Sequence, residues 1–127
     1  MSRRLRPLLI GFLFACAATA AQAQAPLPAK AQLEIEQLIT ALGSSGCQFQ
    51  RNGSWYPASE AQSHLRRKYD YLRKRDMVAS AEQFIERAGS QSSMSGKSYQ
   101  VRCPGQPAVA SSTWLTKQLG AIRHARP

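Results

Sequence analysis

Three groups of residues have side chains that could bind a charged ligand or do chemistry. The stretch from Ser59 to Asp76 contains His64 and the densest run of positive charge in the chain. The second group lies in the hydroxyl-rich segment 90–97, and its candidates are Ser93, Ser95, Gly96 and Lys97. Cys47 and Cys103 form the third group. The three groups suggest anion binding, a nucleophile or phosphate loop, and a disulfide.

His64 is the first candidate for acid–base chemistry. A catalytic histidine needs a nucleophile and an orienting carboxylate within reach. Glu60 lies one helical turn earlier, and a serine of the 92–97 loop would have to approach in space. This keeps a small hydrolase, using His64 and a loop serine, as an alternative to a binding protein, and we assign no catalytic residue.

Two nucleotide or nucleophile motifs in the loop can be rejected. A P-loop needs glycine five positions before the Gly-Lys pair, but Gln91 stands five before Gly96. A Ser-x-x-Lys pair would need serine three before Lys97, and that residue is Met94. The loop could still bind an anion with backbone N–H groups, capped by Lys97.

The sequence predicts no metal site and no cofactor. His64 and His124 lack the spacing of metal ligands. The carboxylates on the central stretch, Glu60, Asp70 and Asp76, stand among lysines and arginines, so they do not form the acid pair of a glycosidase.

The stretch 59–76 has the period of an amphipathic α-helix. Apolar residues recur every three or four positions, at Ala61, Leu65, Tyr69 and Leu72. Ser59 and Gln62 have the form of a capping box. The opposite face is basic and consists of Arg66, Arg67, Arg73, Lys74 and Arg75. A stripe between the two faces holds His64, Lys68 and Tyr71.

The whole chain is strongly basic, and this limits the kinds of partner that we expect it to bind. Its 127 residues include 17 Lys and Arg against 7 Asp and Glu, a formal net charge of +10. Such an unbalanced surface attracts anionic partners, but no aromatic platform for stacking bases is evident, so we do not predict nucleic-acid binding. The predicted contact residues are His64, Arg67, Lys68, Tyr71, Lys74, Arg75, Ser93, Ser95, Gly96 and Lys97.

The beginning of the chain has the pattern of a signal peptide. A basic start is followed by an apolar run, and Ala21-Gln22-Ala23 has the A-x-A form of a cleavage site. We predict a signal peptide at 1–23, a periplasmic mature protein without a transmembrane segment, and a flexible lead at 24–30. The alternative is a lipoprotein anchored at Cys16, although Phe14 fits a lipobox poorly.

The predicted export of the protein determines the redox state expected for its cysteines. Cys16 would leave with the signal peptide, and the remaining pair, Cys47 and Cys103, would lie in an oxidising compartment. We therefore predict a disulfide between them.

Residues 31–123 are predicted to form a single α+β domain, followed by a basic tail at 124–127. Asn52-Gly53 predicts a hairpin between two short strands, and Tyr99, Val101 and Cys103 alternate as in a third strand. We expect a small antiparallel sheet of about three strands packed by about four helices. Gly43 is the expected end of the first helix, and Ser80 and Ser112 the expected caps of the last two.

Several segments together resemble the YfeK-like family of small exported proteobacterial proteins, a domain-of-unknown-function family. They are Arg51-Asn52-Gly53-x-x-Tyr56, Ala61-x-x-His64-Leu65-x-x-Lys68-Tyr69, Phe84-Ile85, Ser92-Ser93-x-Ser95-Gly96-Lys97-x-Tyr99 and Trp114-Leu115. The resemblance implies a periplasmic domain and supplies no activity. Ser98 stands where the family's typical motif has proline.

The sequence as a whole favours a periplasmic binding or accessory domain over an enzyme. Its contact surface would be the basic helix and the Ser-Gly-Lys loop. The expected partner is an anionic envelope component or an acidic protein surface, and the sequence does not indicate an oligomeric state.

Overall fold

The structure, a computed structural model, describes residues 7–17 and 27–126. Within these residues the chain forms four helices and four strands. In chain order they are α1 (Ala29–Gly43), β1 (Gln48–Arg51), β2 (Ser54–Pro57), α2 (Ala58–Lys74), α3 (Ala81–Arg87), β3 (Gln100–Arg102), β4 (Val109–Ala110) and α4 (Ser111–Ala125).

The four strands form one antiparallel sheet in the order β2-β1-β3-β4. The α+β class is confirmed, and the expected count of about three strands is corrected to four. The fourth strand, β4, has only two residues and pairs with β3 through Val109 and Ala110. Two residues are too few to show an alternating pattern, so the sequence did not indicate this strand.

The β1–β2 hairpin turns at Asn52 and Gly53, as predicted. Both residues have positive φ angles, 50° and 83°, which is the conformation of a type I′ turn between twisted strands. The hairpin places Phe49 opposite Tyr56 on the inner face of the sheet. This face is the one that α2 and the other helices cover.

The disulfide between Cys47 and Cys103 is confirmed. Gln48 pairs with Arg102 in the β1–β3 ladder, so the two cysteines stand opposite each other just beyond the paired ends. The bridge therefore joins the two central strands covalently at one end of the sheet.

The apolar face of α2 lies in the core, as its period predicted. Leu65 and Leu72 are buried, and Tyr69 has no exposed area. The Tyr69 ring packs edge-on against Phe84 of α3, with the ring centroids 5.8 Å apart. Helix α1 supplies the other side of the core, mainly through the buried residues Ile35, Leu38, Ile39 and Leu42.

Two of the predicted helix ends, Gly43 of α1 and Ser80 of α3, are confirmed, and two are corrected. Ser80 caps α3, because its side chain accepts a hydrogen bond from the Gln83 backbone N–H at 3.0 Å. Helix α2 begins at Ala58, directly after Pro57, so Ser59 lies inside the first turn and makes no capping bond. Helix α4 likewise begins at Ser111 without a side-chain cap, which leaves Ser112 within it.

Gly43 is the last residue of α1, as predicted, but it does not have the left-handed conformation of a cap. The positive φ angle comes three residues later, at Gly46. The side-chain amide of Gln62 on α2 occupies the space where a Cβ of Gly43 would lie. The small residue therefore leaves room for the hydrogen bond from Gln62 to the Ile39 carbonyl, 3.2 Å long, between α2 and α1.

The chain termini differ in part from the sequence-based boundaries. Ala29 and Lys30, assigned to the flexible lead, are the first residues of α1, because helical hydrogen bonding already begins at Pro28. His124 and Ala125, assigned to the basic tail, continue α4.

The predicted cleavage site lies outside the described residues. Residues 7–17 form no helix or strand, and no described helix is long and apolar enough to cross a bilayer.

Arg126, also assigned to the basic tail, forms an ion pair with a buried carboxylate. Glu34 of α1 is only 2% exposed, and its carboxylate accepts hydrogen bonds from Arg123 at 2.7 Å and from Arg126. Arg123 also pairs with Glu82. The hydrogen bond from Arg123 is the main reason that the pKa of Glu34 lies below its ordinary value of 4.5, although burial opposes the shift. These contacts tie the end of α4 to α1.

Replacing Glu34 by glutamine should lower the free energy of unfolding by about 1–3 kcal/mol at neutral pH, since charge-assisted hydrogen bonds are lost. This loss of stability is smaller than the loss on breaking a fully buried ion pair, because both arginines can turn toward water. A lowered folded pKa gives stability that is fully present above the unfolded pKa of about 4.5 and is lost as pH falls through the folded pKa.

Urea titrations at about pH 7 and about pH 3 should therefore show a difference between wild type and Glu34→Gln that shrinks in acid. Glu86→Gln is the matched control, because Glu86 is exposed on α3 and forms no ion pair with a described residue. A difference that is the same at both pH values would contradict the role assigned to the Glu34 carboxylate.

Candidate functional site

A cleft of about 310 Å³ lies between the β1–β2 hairpin and the first half of α2. Phe49, Leu42 and Leu65 form its apolar floor. Polar residues of the hairpin and of α2 stand at its sides. The lining is completed by Gln50, Arg51, Tyr56, Ser59, Glu60, Ala61, Ser63, His64, Arg67, Tyr99 and Ser111. We refer to it below as the hairpin cleft.

A hydrogen-bonded network of four side chains borders this cleft. Arg51, at the end of β1, approaches Nδ1 of His64 with Nη1 at 2.8 Å. The other ring nitrogen, Nε2, lies 3.0 Å from the hydroxyl of Tyr99. Lys68, one turn after His64, donates to the same hydroxyl at 3.2 Å and to the Gln91 carbonyl at 3.1 Å.

The chemistry of Arg51 determines the tautomer of His64. A guanidinium has only donors, so Nδ1 must accept, and the ring hydrogen must be on Nε2. Burial is the main reason that the pKa of His64 falls to about 4, and the charges of Arg51, Lys68 and Arg67 lower it further. His64 is therefore neutral at neutral pH. It connects Arg51 to Tyr99 and adds no charge of its own.

The hydrogen of the Tyr99 hydroxyl is free to be donated in a hydrogen bond. It accepts from both His64 and Lys68, which uses the two lone pairs of its oxygen. Burial raises the pKa of Tyr99, so the group keeps its hydrogen. No described residue accepts that hydrogen bond, and Tyr99 is one of the residues that line the hairpin cleft. Tyr99 is thus equipped to donate to a ligand.

Positive charge in and beside the cleft exceeds negative charge. Arg51 and Arg67 line the cleft, and Glu60 is the one carboxylate among the lining residues. The guanidinium of Arg51 lies 5.0 Å from the centroid of the Tyr56 ring, a cation–π distance that holds its plane in place. Lys68, half-buried behind Tyr99, has its pKa lowered, first by burial and then by Arg51.

The second half of α2 and the residue that follows it expose cations that we call the basic face, namely Arg67, Arg73, Lys74 and Arg75. None of the four forms an ion pair with a carboxylate in the part of the chain that the structure describes. Arg66 does not belong to this face, because it pairs with Glu36 of α1 at 2.8 Å. Tyr71 is exposed, and the guanidinium of Arg75 stacks on its ring at 3.7 Å from the centroid.

The loop 90–97 uses its backbone donors internally. Ser92 is buried, and its hydroxyl accepts from the N–H groups of Met94 and Ser95. The N–H of Gly96 donates to the Ser92 carbonyl, and that of Lys97 donates to the Ser95 hydroxyl. These N–H groups are therefore not available to an anion, and the backbone anion site suggested by the sequence has no support.

The loop serines do not reach His64. The Ser95 hydroxyl bonds instead to Asn52 at the tip of the hairpin, and Ser93 is exposed. Both ring nitrogens of His64 are occupied by Arg51 and Tyr99. No hydrogen bond joins His64 to Glu60, so neither the nucleophile nor the orienting carboxylate of the hydrolase hypothesis is in place.

The family comparison gives the chain a place among known sequences. Residues 29–123 match the family of unknown function DUF5329. The chain belongs to this family. No curated protein and no solved structure matches it.

The DUF5329 match contains every strand and the first three helices in full, and it extends into the last turn of α4. Both bridged cysteines and the whole lining of the hairpin cleft lie inside it. The cleft and the network around His64 therefore lie within the part of the chain that matches DUF5329. The segment before Ala29 lies outside the match.

The structure of this DUF5329 domain brings together only part of the predicted contact set. His64 and Lys68 meet through Tyr99, and Arg67 stands at the mouth of the same cleft. Three further predicted residues, Tyr71, Lys74 and Arg75, lie at the other end of α2. The loop residues Ser93, Ser95, Gly96 and Lys97 lie near the tip of the hairpin, where Ser95 contacts Asn52.

His64 and Arg67 are the lining residues of the cleft that were predicted as site residues, whereas Arg51, Tyr56 and Tyr99 are functional candidates that were missed. Strand alternation was the signal that could have found them. Arg51 has the same parity as Cys47 and Phe49, and Tyr99 has the same parity as Val101. Both therefore point toward the face that α2 covers.

Among the described residues, no group of His, Cys, Asp and Glu forms a potential metal site.

Proposed function

We propose that the protein is a periplasmic binding or accessory domain, without enzymatic activity, that contacts an anionic envelope component through α2. The observation that carries this proposal is the unpaired charge of the basic face. Arg66, Arg123 and Arg126 are neutralised by carboxylates, whereas Lys74 and Arg75 are exposed without one.

The geometry of the basic face also supports a contact role. Arg75 is stacked on Tyr71 and donates to its backbone carbonyl at 3.3 Å. This ordering lowers the entropy that Arg75 would lose on binding. The stacked face of the guanidinium leaves its edge available to phosphate or carboxylate oxygens. Helix α2 thus presents charge that is already positioned.

The periplasmic location is part of the proposal. It is supported by the signal-peptide pattern of residues 1–23, and the Cys47–Cys103 bridge is compatible with an oxidising compartment. The motifs of the YfeK-like family point to the same location and to a proteobacterial source. A lipid anchor at Cys16 is the alternative, and it would hold the basic face close to a membrane.

The test removes charge from the basic face and measures vesicle binding. Lys74→Gln combined with Arg75→Gln should weaken binding to phosphatidylglycerol-containing vesicles by roughly 10- to 30-fold, since each basic residue near an anionic surface contributes about 1 kcal/mol. Wild-type binding should also weaken as salt rises from about 0.05 to about 0.2 M, because screening acts on exposed charge. Co-sedimentation or surface plasmon resonance measures both effects.

The matched control is Arg102→Gln combined with Lys117→Gln, which removes the same net charge elsewhere. Arg102 is exposed on β3, where it stacks on Trp55, and Lys117 is exposed on α4. The control should bind vesicles nearly as well as wild type. Equal losses in the two double variants would mean that net charge alone matters, and the basic face would then be rejected as the contact surface. An acidic protein would be the remaining partner if wild type does not bind vesicles.

A further inference from the structure

We propose that the hairpin cleft is a binding site for a small organic carboxylate that carries an apolar group. This site is separate from the membrane contact proposed above, since it lies at the opposite end of α2 and shares only Arg67 with the basic face. The cleft offers hydrogen-bond donors without partners, an apolar floor and a volume of about 310 Å³, which together suit such a ligand.

The polar groups of the cleft that lack a partner are mainly donors. Arg51 uses Nη1 for His64, and its other N–H groups have no acceptor among the described residues. The hydroxyl of Tyr99 has its hydrogen left to donate. Arg67 adds an exposed guanidinium at the mouth. A group that satisfies several donors and compensates positive charge is an anion.

Among anions, a carboxylate fits these donors best. A guanidinium recognises the two oxygens of a carboxylate through two parallel N–H bonds. The cations lining the cleft are Arg51 and Arg67, and Glu60 at the same site offsets one of them. This leaves one positive charge to be compensated and disfavours a doubly charged phosphate.

The floor of the cleft requires the ligand to be partly apolar. Phe49 and Leu65 belong to the core and also line the cleft, and Ala61 stands beside them. A fully hydrated anion would leave this surface in contact with water, whereas an alkyl or aromatic group would cover it. The volume of about 310 Å³ is at the small end of the range for ligand pockets, which indicates a short group.

His64 is a positioning residue in this site. Its Nδ1 holds Arg51 and its Nε2–H holds Tyr99, so the two donors are fixed relative to each other before a ligand binds. Such preorganisation lowers the entropy lost on binding. The same chemistry is found in a free short-chain acid and in the C-terminal residue of a peptide, which are the two sources to be distinguished.

The test uses octanoate as probe, with 1-octanol and octyltrimethylammonium as neutral and cationic comparisons. In two-dimensional ¹H–¹⁵N NMR titrations of the full-length protein, octanoate should cause saturable shifts at residues that line the cleft. Both comparison compounds should bind at least about tenfold more weakly, because they lack the carboxylate. Short peptides ending in leucine, as acid and as amide, form the second arm. Tighter binding of the peptide acid than of octanoate identifies a chain terminus as the source.

Two variants test separately the guanidinium that would bind the carboxylate and the volume of the cleft. Arg51→Gln should reduce octanoate affinity about tenfold or more. Ala61→Leu should reduce it comparably by filling the cleft, and it retains every donor. Lys74→Gln combined with Arg75→Gln is the control, which should lose vesicle binding and keep octanoate binding.

The outcomes separate the two proposals. Equal binding of octanoate and 1-octanol, no saturable shifts in the cleft, or full affinity in Ala61→Leu would each overturn the carboxylate site. None of these results affects the vesicle experiment. If Arg51→Gln does not fold, Ala61→Leu and the comparison compounds still decide the question.

Discussion

Leu65→Asp is expected to abolish cooperative folding. Leu65 is 4% exposed and lies in the middle of the apolar face of α2. An aspartate there would have to be buried as a charge without a partner or become protonated, and either costs several kcal/mol. A small domain has only about 5–15 kcal/mol of stability in total. Leu65→Ala, the graded variant, should cost about 2–5 kcal/mol through lost burial and a cavity.

Circular dichroism during thermal and urea unfolding measures these effects. Ser63→Asp is the matched control, because it introduces the same charge at an exposed position two residues earlier on the same helix. It should change the free energy of unfolding by no more than about 0.5 kcal/mol. A Leu65→Asp protein that melts cooperatively near the wild-type midpoint would show that this face of α2 is not the core face.

Removing the disulfide is expected to have the second largest effect. The bridge closes a separation of 56 residues, and losing a native disulfide from a small domain typically costs about 2–5 kcal/mol. For a domain of this size each kcal/mol corresponds to about 4–8 °C in Tm. Cys47→Ala combined with Cys103→Ala should therefore melt at least about 8 °C below wild type.

Chemical reduction of the wild-type protein provides the internal comparison. Reduced wild type should melt close to the double alanine variant, and reductant should not affect that variant. Alkylation of denatured, non-reduced protein should leave Cys47 and Cys103 unmodified. Equal midpoints for wild type and variant would mean that the bridge adds nothing to the stability of the fold.

Local sequence patterns predicted the elements that depend on local physics. The Asn52-Gly53 turn and the apolar period of α2 were both found, because turn chemistry and helical periodicity act over a few residues. The pairing of Cys47 with Cys103 followed from their being the two cysteines left after the predicted signal peptide. In each case the deciding residues are close in sequence or few in number.

Features that depend on distant contacts were missed. Strand β4 exists because β3 is beside it, and its two residues have no signal of their own. Ser59 was predicted to cap α2, but β2 continues through Pro57 directly into the helix. The partners of His64 are Arg51, at the end of β1, and Tyr99, directly before β3. Sequence periodicity shows which face a residue occupies and not which side chain it will meet across the core.

The bridge between the two central strands also changes what a break in the backbone would do. With Cys47 and Cys103 joined, the hairpin, α2, α3 and the loop 90–97 form a closed covalent ring. A protease that cuts the exposed loop once would open the ring without releasing a fragment, so the whole lining of the hairpin cleft would stay on one covalent molecule. Helices α1 and α4 lie outside the ring, and a cut beside either of them leaves it attached only by packing and ion pairs such as Glu34–Arg123. In an environment rich in proteases, the molecule is covalently protected at its centre and vulnerable at its two ends.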